Sequence, residues 1–151
     1  MLLFAAEDVG LADPRAMEVG VAAYQACHFI GVPECNVHLA EAVVYMSLAS
    51  KSNAVYVAVG EAQEAIEKEP DAPVPLQIRN APTKLMKELE YGKGYQYAHD
   101  YAEKMTAMTC LPDQLKDRSF YRPTDQGQEA RYKERLEQIK TWKTEQRKKQ
   151  L

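Results

Sequence analysis

The chain has 151 residues, of which 46% are apolar and 27% charged, and its formal net charge is −3. This composition excludes collagen, a disulfide scaffold and a charge-saturated disordered chain, and the length suits one domain with a real core. No apolar run approaches the roughly 18 residues of a membrane span. The net charge averages two opposed parts. Residues 1–71 hold 3 Lys and Arg against 11 Asp and Glu, a net of −8, whereas residues 72–151 hold 16 against 11, a net of +5.

The cysteine count and the start of the chain indicate a cytoplasmic protein. An odd number of cysteines without a secretory signal favours a reducing compartment over a disulfide framework. The apolar residues 1–6 lack a basic n-region and run directly into Glu7 and Asp8, so they are not a signal peptide. They are typical of the last turns of a helix, and we expect the chain to be part of a longer protein.

Three helices are predicted in the first half of the chain. Asp13-Pro14 is a strong start signal, with an N-cap carboxylate before a proline at the first helical position. Pro33-Glu34 starts the second helix in the same way, and Ser52 starts the third. The predicted helices cover residues 14–30, 33–50 and 53–69. Their high alanine content and short turns predict closely packed antiparallel neighbours.

Apolar residues at helical spacing are expected to form the buried faces of these helices. On the first helix this face holds Met17, Val21 and Tyr24. The apolar residues of the second include Val37, Val43, Val44, Met46 and Leu48. On the third helix we expect Val55, Val59, Ala62 and Ile66 to point inward.

The middle of the chain has a different character. Four prolines within residues 70–82 predict an extended crossing, followed by a short helix over residues 82–90. Residues 91–100, here called the Tyr/Gly loop, combine two glycines with three tyrosines and predict an ordered loop. Residues 101–124 are irregular, with one turn at Asp113–Asp117. A long polar helix, capped by Thr124 or Asp125, is predicted from about residue 128 to 149. The fold class is therefore all-α with a long irregular middle segment.

Motifs for nucleotide and zinc binding are missing. Gly92-Lys93-Gly94 is not a phosphate-binding loop, which requires Gly-x4-Gly-Lys-Ser/Thr between a strand and a helix. The Rossmann fingerprint is also absent. Two cysteines and two histidines cluster around the turn between the first two predicted helices, but their spacing matches no usual zinc site. These residues are Cys27, His28, Cys35 and His38. We interpret the cysteines as small buried side chains and His28 as favourable near a helix C-terminus.

The doublet His99-Asp100 admits two interpretations. An HD-type metal phosphohydrolase would use such a pair, but only with further ligands around two divalent cations. Because the doublet follows the Tyr/Gly loop and does not lie inside an apolar helix, we favour a loop that these two side chains hold together by hydrogen bonds.

Basic residues and tyrosines of the second half are candidates for nucleic-acid binding. Cations near aromatic rings suit a phosphate backbone with stacked bases. The candidate residues are Lys84, Lys87, Lys93 and Tyr95, with a basic final helix beyond residue 128. The alternative is that this helix is an ordinary solvated surface helix.

Six ordered motifs give the chain a family likeness. They occupy residues 6–14, 30–34, 51–54, 79–83, 91–100 and 120–123. Together they resemble the C-terminal region of the RarA/MgsA family, replication-associated AAA+ ATPases related to clamp loaders and to the Werner helicase-interacting protein. The likeness covers about residues 2–137, and residues 102–110 depart from it. Within the motifs, the structural positions are Asp13, Pro14, Pro33, Asn80, Pro82, Gly92, Gly94, His99 and Asp100. We expect Asn80 to Thr83 to set a helix start, and Gly92 and Gly94 to adopt angles closed to other residues.

The resemblance implies a clamp-loader-collar-like domain of about five to seven helices over residues 1–151. Its expected segments are a helical core (1–69), a crossing with short helix and loop (70–124) and a basic terminal helix (125–151). It implies a homotetramerisation domain with no catalytic, cofactor or metal residues of its own, and hence no enzyme activity alone. ATP and Mg²⁺ would bind an ATPase core upstream.

The same resemblance implies partners and a place in the cell. The parent protein would act on single-stranded or forked DNA in replication, recombination and repair, with a link to single-strand-binding protein. It would be cytoplasmic and nucleoid-associated, without a membrane. Two alternatives stay open: an autonomous DNA-binding helical module, and the metal phosphohydrolase.

Overall fold

The computed structural model describes residues 1–149 and shows a helical chain, with no β-strand among those residues. The all-α prediction and the expected number of helices are confirmed. Six α-helices occur: α1 (Leu2–Phe4), α2 (Arg15–Ile30), α3 (Asn36–Leu48), α4 (Ala54–Lys68), α5 (Lys84–Glu88) and α6 (Glu129–Lys149). A π-helical turn spans Ala5–Val9, and 3₁₀ turns span Gly10–Ala12, Leu76–Ile78, Ala98–Asp100 and Asp113–Leu115. Gln150 and Leu151, the end of the predicted segment 125–151, lie outside the described residues.

The described chain divides into two compact units. The first unit comprises residues 1–63 and 120–137, and the second comprises residues 64–119 and the stretch from residue 138 to 149. One boundary falls within α4 and another within α6, whereas the boundary between residues 119 and 120 lies outside any helix.

Small residues hold the first unit together. Helices α2 and α3 pack against each other, and α2 also contacts the N-terminal helical segment. The buried side of α2 holds Ala16, Gly20 and Ala23. A Cβ on Gly20 would lie only 3.0 Å from Leu2 Cδ2 and from Met46 Cε. The helices therefore approach closely because their facing positions are small.

The ends of α2 agree with its start and stop signals. The Asp13 carboxylate accepts a 3.2 Å hydrogen bond from the Arg15 N–H at the first turn. At the other end Gly31 has φ = 80° and donates its N–H to the Cys27 carbonyl at 3.0 Å. This positive φ is a conformation that favours glycine and stops the helix.

Helix α3 begins three residues later than predicted. Its first residue is Asn36 and not Pro33. The intervening residues form a turn, in which the Cys35 N–H bonds the Gly31 carbonyl at 2.9 Å and the Asn36 N–H bonds the Pro33 carbonyl at 3.1 Å. The start of α4 follows the prediction, since the Ser52 hydroxyl accepts the Ala54 N–H at 3.2 Å.

Two expectations about the core are wrong. Among the described residues, three mutually packed helices are not found, because only α2 and α3 make an extensive pair. Val59 and Ile66 of α4 are 52% and 63% exposed, and this helix buries Ala54 and Ala65 instead. Close packing needs small side chains at the contact, so the larger apolar residues lie on the outside.

The second unit is built from turns that bond to one another. The Thr83 hydroxyl accepts the Met86 N–H at 3.3 Å and caps α5, which is the helix start expected at residues 80–83. The Gln77 side chain donates to the Thr109 carbonyl at 2.6 Å. The end of α6 joins the same region, because the Arg147 guanidinium donates to the Ala107 carbonyl at 3.1 Å and to the Thr109 hydroxyl at 3.2 Å.

Candidate interaction surfaces

Large apolar side chains of the first unit face outward. On α3 the exposed residues Val37, Val44 and Leu48 recur at helical spacing, and they are 74%, 58% and 82% exposed. On α2 the spaced residues Met17, Val21 and Tyr24 are also exposed. We refer to these six residues, with Phe29 and Val32 of the α2–α3 turn, as the apolar surface.

The apolar surface comprises eight large apolar side chains, each of them exposed. Phe29 is 81% exposed and Val32 is 78% exposed. Fully burying one Val, Leu or Phe side chain gains about 1.5–3 kcal/mol. Large exposed apolar patches on soluble proteins mark interaction sites. Exposed apolar residues of α2, of α3 and of the turn between them are therefore candidates for contact with a partner.

A buried carboxylate ties the segment before α6 to the helical part of the first unit. Glu129 has no exposed surface. Its Oε2 accepts hydrogen bonds from the Ser52 hydroxyl at 2.6 Å, the Thr124 hydroxyl at 2.7 Å and the Thr124 N–H at 2.9 Å. Its Oε1 accepts the Tyr121 hydroxyl at 2.9 Å. Four donors thus satisfy one buried charge.

The pKa of the Glu129 carboxyl lies below its ordinary value despite the burial. Burial acts to raise this pKa, but the hydrogen bonds from Ser52, Thr124 and Tyr121 favour the charged form and together outweigh it. The pKa of the Tyr121 hydroxyl is raised, first by burial and then by its bond to the Glu129 carboxylate. Glu129 is therefore an ionised structural anchor at neutral pH.

Two further contacts join residues 10–14 to the start of α6 and to α3. The Gln128 N–H donates to the Ala12 carbonyl at 2.8 Å. The Tyr45 hydroxyl donates to the Asp13 carboxylate at 2.8 Å, and this bond raises the pKa of Tyr45. The motif residue Asp13 thus joins the start of α2 to α3, and Pro14 lies between Asp13 and the first residue of α2.

The Tyr/Gly loop is ordered by its backbone and by one stacked cation. Gly92 and Gly94 have φ of 77° and 80°. The Gly92 N–H bonds the Leu76 carbonyl at 2.8 Å. The Arg79 guanidinium lies 5.1 Å from the centroid of the Tyr91 ring, and its Nε donates to the Val74 carbonyl at 2.6 Å.

An open depression lies beside this loop. Its volume is about 460 Å³. It is lined by Gln77, Ile78, Arg79, Asn80, Ala81, Gly92 and Tyr95. The Tyr95 side chain is 56% exposed, and Tyr97 is 53% exposed. The depression thus places the exposed Tyr95 ring beside the side-chain amides of Gln77 and Asn80. Pro82 precedes α5.

The lysines proposed for nucleic-acid binding are partly neutralised. Lys84 pairs with Glu88 at 3.8 Å, and Lys93 pairs with Glu90. Lys87 is exposed and has no ion pair within residues 1–149. Because ion pairs lower the net charge offered to a phosphate backbone, the basic cluster is weaker than the sequence suggests.

The expectation that the His99 and Asp100 side chains tie their loop is wrong. Both residues are exposed, and neither side chain makes a hydrogen bond in the described part of the chain. Their backbone atoms do so instead. Lys104 Nζ donates to the His99 carbonyl at 2.6 Å, and the Asp100 N–H donates to the Tyr97 carbonyl at 3.0 Å. The His99 ring lies 5.1 Å from the Tyr97 ring.

The cysteine and histidine cluster also departs from a metal site. Cys27 is half-buried, Cys35 is buried, and both thiols are free. His38 Nδ1 is buried and has no hydrogen-bond partner among the described residues. Within residues 1–149, no three or more His, Cys, Asp and Glu side chains are grouped so that they could hold a metal ion.

Sequence reasoning missed several residues that organise the first unit. Glu129, Tyr45 and Gly127 carry no motif that distinguishes them from other helical or loop residues. A Cβ on Gly127 would lie 2.2 Å from the Ala12 carbonyl oxygen. The only available signal for Glu129 was a carboxylate within the first turn of a predicted helix, and this is common on surface helices.

Known proteins match most of the length of this chain. A family model described as the MgsA AAA+ ATPase C terminal matches residues 1–140. The chain is 46% identical over 141 residues to the replication-associated recombination protein A of Haemophilus influenzae, a match covering 93% of this chain and 32% of that protein. For the Escherichia coli K12 protein of the same name, the identity is 45% over 136 residues, or 89% of this chain and 30% of that protein.

A eukaryotic protein also matches. The ATPase WRNIP1 of Dictyostelium discoideum is 41% identical over 122 residues, which cover 80% of this chain and 14% of that protein. The chain therefore spans a third or less of the length of these relatives, and the matched part is a C-terminal domain without the ATPase core. None of the helices described here combines the length and apolar character needed to cross a membrane. The chain belongs to the family of MgsA AAA+ ATPase C-terminal domains.

Proposed function

We propose that this chain is the homotetramerisation domain of a DNA-dependent AAA+ ATPase that acts in replication-fork maintenance and recombination. The relatives named replication-associated recombination protein A support the cellular process. The apolar surface supports the assembly role, and it is the observation on which the proposal rests.

Assembly through this surface follows from the packing of the first unit. Small residues already fill the contact between α2 and α3, so the larger residues of the apolar surface are left for another partner. A second copy presents the same residues, and contact between identical apolar patches joins two copies about a two-fold axis. A closed tetramer then needs a second contact, which the α2 and α3 parts of the apolar surface could supply separately. Tyr24 and Leu48, which are 64% and 82% exposed, would become buried in such an interface.

Light scattering coupled to size-exclusion chromatography tests the assembly. We expect the chain to elute as a tetramer at tens of micromolar. Tyr24→Glu should lower the mass to that of a monomer, because it places a charge within the apolar surface. Gln25→Glu is the matched control, since it adds the same charge at the next exposed position of α2. A monomeric wild-type chain would contradict the proposal, and so would a tetramer in both variants.

The remaining partners belong to the same proposal. We place ATP and Mg²⁺ in an ATPase core outside these 151 residues, and we place the parent protein in the cytoplasm at the nucleoid. Single-stranded or forked DNA and single-strand-binding protein would be partners of that parent. Pulldown of single-strand-binding protein by the parent with and without residues 1–149 tests whether this domain contributes. Equal recovery would assign that contact to another domain.

Direct DNA binding by the Tyr/Gly loop is a second candidate function. The exposed ring of Tyr95 lines the open depression, and Tyr97 of the same loop is also exposed. Both favour this function, because bases stack on aromatic side chains in single-strand binding. The ion pairs of Lys84 and Lys93 reduce its electrostatic part. Binding would therefore depend on stacking more than on charge.

Fluorescence anisotropy with a labelled single-stranded oligonucleotide at two salt concentrations tests this candidate. Tyr95→Ala should weaken binding, and stacking of one base is worth about 1–3 kcal/mol. Lys87→Glu should weaken it as well, with a smaller salt dependence. Lys116→Glu is the control, as another exposed lysine of the second unit. Equal affinities for all four proteins would exclude the loop as the binding site.

A further inference from the structure

Arg79 lines two depressions of the second unit. One is the open depression beside the Tyr/Gly loop, with a volume of about 460 Å³. The other has a volume of about 520 Å³ and is lined by residues from the segments 73–79 and 109–116. Both volumes are in the range of sites that hold a small molecule or part of a larger ligand. The same arginine is therefore within reach of a group bound in either depression.

The guanidinium of Arg79 is held in a fixed position. The residue is half-buried. Its guanidinium carbon lies 5.1 Å from the centroid of the Tyr91 ring, and its Nε donates to the Val74 carbonyl at 2.6 Å. Stacking on a ring and one hydrogen bond at Nε restrict the rotation of the planar group. A ligand would thus bind a side chain that has already lost most of its freedom.

The charge of Arg79 is not neutralised by the protein. In the described part of the chain it forms no ion pair, and its two Nη groups donate no hydrogen bond. Asp113 lines the larger depression but does not pair with it. In contrast, the Arg122 guanidinium pairs with Glu61 at 2.7 Å, and that of Arg147 bonds two partners. The free Nη groups of Arg79 match the oxygens of a phosphate or carboxylate.

The neighbours of Arg79 favour a phosphate that carries a nucleoside. Tyr95 lines the depression beside the Tyr/Gly loop, and its side chain is 56% exposed. A base can stack on this ring, and the amides of Gln77 and Asn80 in the same depression can bond a base edge. A nucleotide joins a base and an oxyanion in one molecule, whereas an acidic side chain brings no ring to stack on Tyr95.

We propose that Arg79 is the phosphate-binding residue of a single-stranded DNA site at the Tyr/Gly loop. The guanidinium contacts one backbone phosphate, and the adjoining base stacks on Tyr95. This inference rests on the direct DNA binding given above as the second candidate function, and it adds the residue that holds the backbone. Because Lys84 and Lys93 are paired with glutamates, Arg79 supplies a large share of the electrostatic attraction at this site.

Fluorescence anisotropy with labelled oligothymidine over a series of salt concentrations tests the proposal. Arg79→Gln should weaken binding by about ten- to a hundredfold at low salt, as expected for one lost hydrogen-bonded charge. The slope of log affinity against log salt should also become shallower by about 0.7, the value for one phosphate contact on a single strand. Arg118→Gln is the matched control, because it removes the same charge from an exposed position of the second unit. It should leave both the affinity and the slope unchanged.

Circular dichroism shows whether the glutamine variant keeps its helices. If it does not, Arg79→Lys replaces it. Lysine keeps the charge but loses the planar fork and the stacking, so the affinity should fall while the slope stays the same. An unchanged affinity in that variant would count against the proposal.

Three results would overturn the proposal. A weaker Arg79→Gln variant with the wild-type slope would show that the arginine only supports the loop. Equal losses in Arg118→Gln would show a general effect of charge. Displacement of the oligonucleotide by an oligoglutamate peptide of equal charge, as effective as displacement by unlabelled oligothymidine, would assign the site to acidic peptides.

The same titration separates this inference from the function on which it rests. If the wild-type chain binds no single-stranded DNA, the second candidate function fails and the inference fails with it. If Tyr95→Ala weakens binding and Arg79→Gln does not, the loop binds DNA and only the role of Arg79 is wrong.

Discussion

The Ser52 hydroxyl donates a 2.6 Å hydrogen bond to the Glu129 carboxylate, which lies 77 residues further along the chain and is fully buried. Ser52 also accepts the Ala54 N–H at the start of α4, and its own N–H bonds the Asp8 carbonyl at 2.8 Å. One serine thus links the N-terminal helical segment, α4 and the beginning of α6. The family motif at residues 51–54 has a structural reason in these three contacts.

Glu129→Gln should destabilise the first unit. The substitution removes the charge and replaces one acceptor oxygen by an NH₂ group, which faces the hydroxyls of Ser52, Thr124 or Tyr121. A buried donor that loses its partner costs about 1–3 kcal/mol, so we expect a loss of this order in the free energy of unfolding. Urea unfolding followed by circular dichroism measures it. Glu134→Gln, at an exposed position of α6, should change stability by less than about 0.5 kcal/mol. Similar losses in both variants would contradict the anchor role.

Acid should remove the stability that Glu129 contributes. Its pKa in the folded protein lies below the ordinary 4.5, since its hydrogen bonds outweigh burial. The carboxylate therefore contributes its full stabilisation above about pH 4.5 and loses it as the pH falls through the folded pKa. The difference in unfolding free energy between wild type and Glu129→Gln should be constant from pH 7 to pH 5 and should shrink at lower pH. A difference that grows on acidification would reverse the sign of the shift.

The sequence predicted most of the helices because their local signals are strong. The boundaries of α2, α4 and α6 agree to within one or two residues, since capping residues and glycines act locally. The start of α3 was misplaced at Pro33 because the turn between Gly31 and Asn36 uses backbone bonds that no residue type reveals.

The main error of the sequence-based prediction concerns which face of each helix is buried. Helical spacing identified apolar stripes but not which side of the helix meets its neighbour. On α2 the alanine and glycine face is buried and the face with Tyr24 is exposed, because small residues permit the closer packing. The sequence also does not reveal that Glu129 is a buried anchor. Its partners lie in two segments, Ser52 before α4 and Tyr121 with Thr124 before α6, and the meeting with Ser52 depends on the tertiary fold.

Removal of the Tyr45–Asp13 hydrogen bond should lower stability modestly. Tyr45→Phe deletes the hydroxyl that donates to Asp13 at 2.8 Å and leaves the ring in place. We expect a loss of about 1 kcal/mol, typical of one partly buried hydrogen bond. Tyr56→Phe is the control, because its side chain is 59% exposed on α4. Thermal unfolding of both variants measures the difference, and equal midpoints would show that the Asp13 contact contributes nothing.

The Arg147 anchor should hold the end of α6 against the second unit. Arg147→Gln removes the donors to the Ala107 carbonyl and the Thr109 hydroxyl. Amide hydrogen exchange should then become faster in residues 138–149 and in residues 105–110, while the first unit keeps its protection. Lys148→Gln, one residue further along the exposed end of the helix, serves as the control. Faster exchange in both variants alike would mean that charge near the helix end, and not the specific bonds, stabilises it.

Gly127→Ala should be among the most damaging single-atom additions in the first unit. The new Cβ would lie 2.2 Å from the Ala12 carbonyl oxygen, and the φ of 50° at this position is already unfavourable for alanine. Either the backbone shifts and breaks the 2.8 Å bond between the Gln128 N–H and Ala12, or the segment before α6 detaches. Both results lower the urea midpoint and speed amide exchange at residues 10–14.

Gly60→Ala is the matched control for this substitution. Gly60 lies within α4, and a Cβ there would meet no atom within 4 Å. Alanine is favoured over glycine in a helix interior by about 0.5–1 kcal/mol, so this variant should be more stable than the wild type. The two variants add the same methyl group and should change stability in opposite directions. If Gly127→Ala unfolds at the wild-type urea concentration, residues 120–129 do not depend on the contact with Ala12.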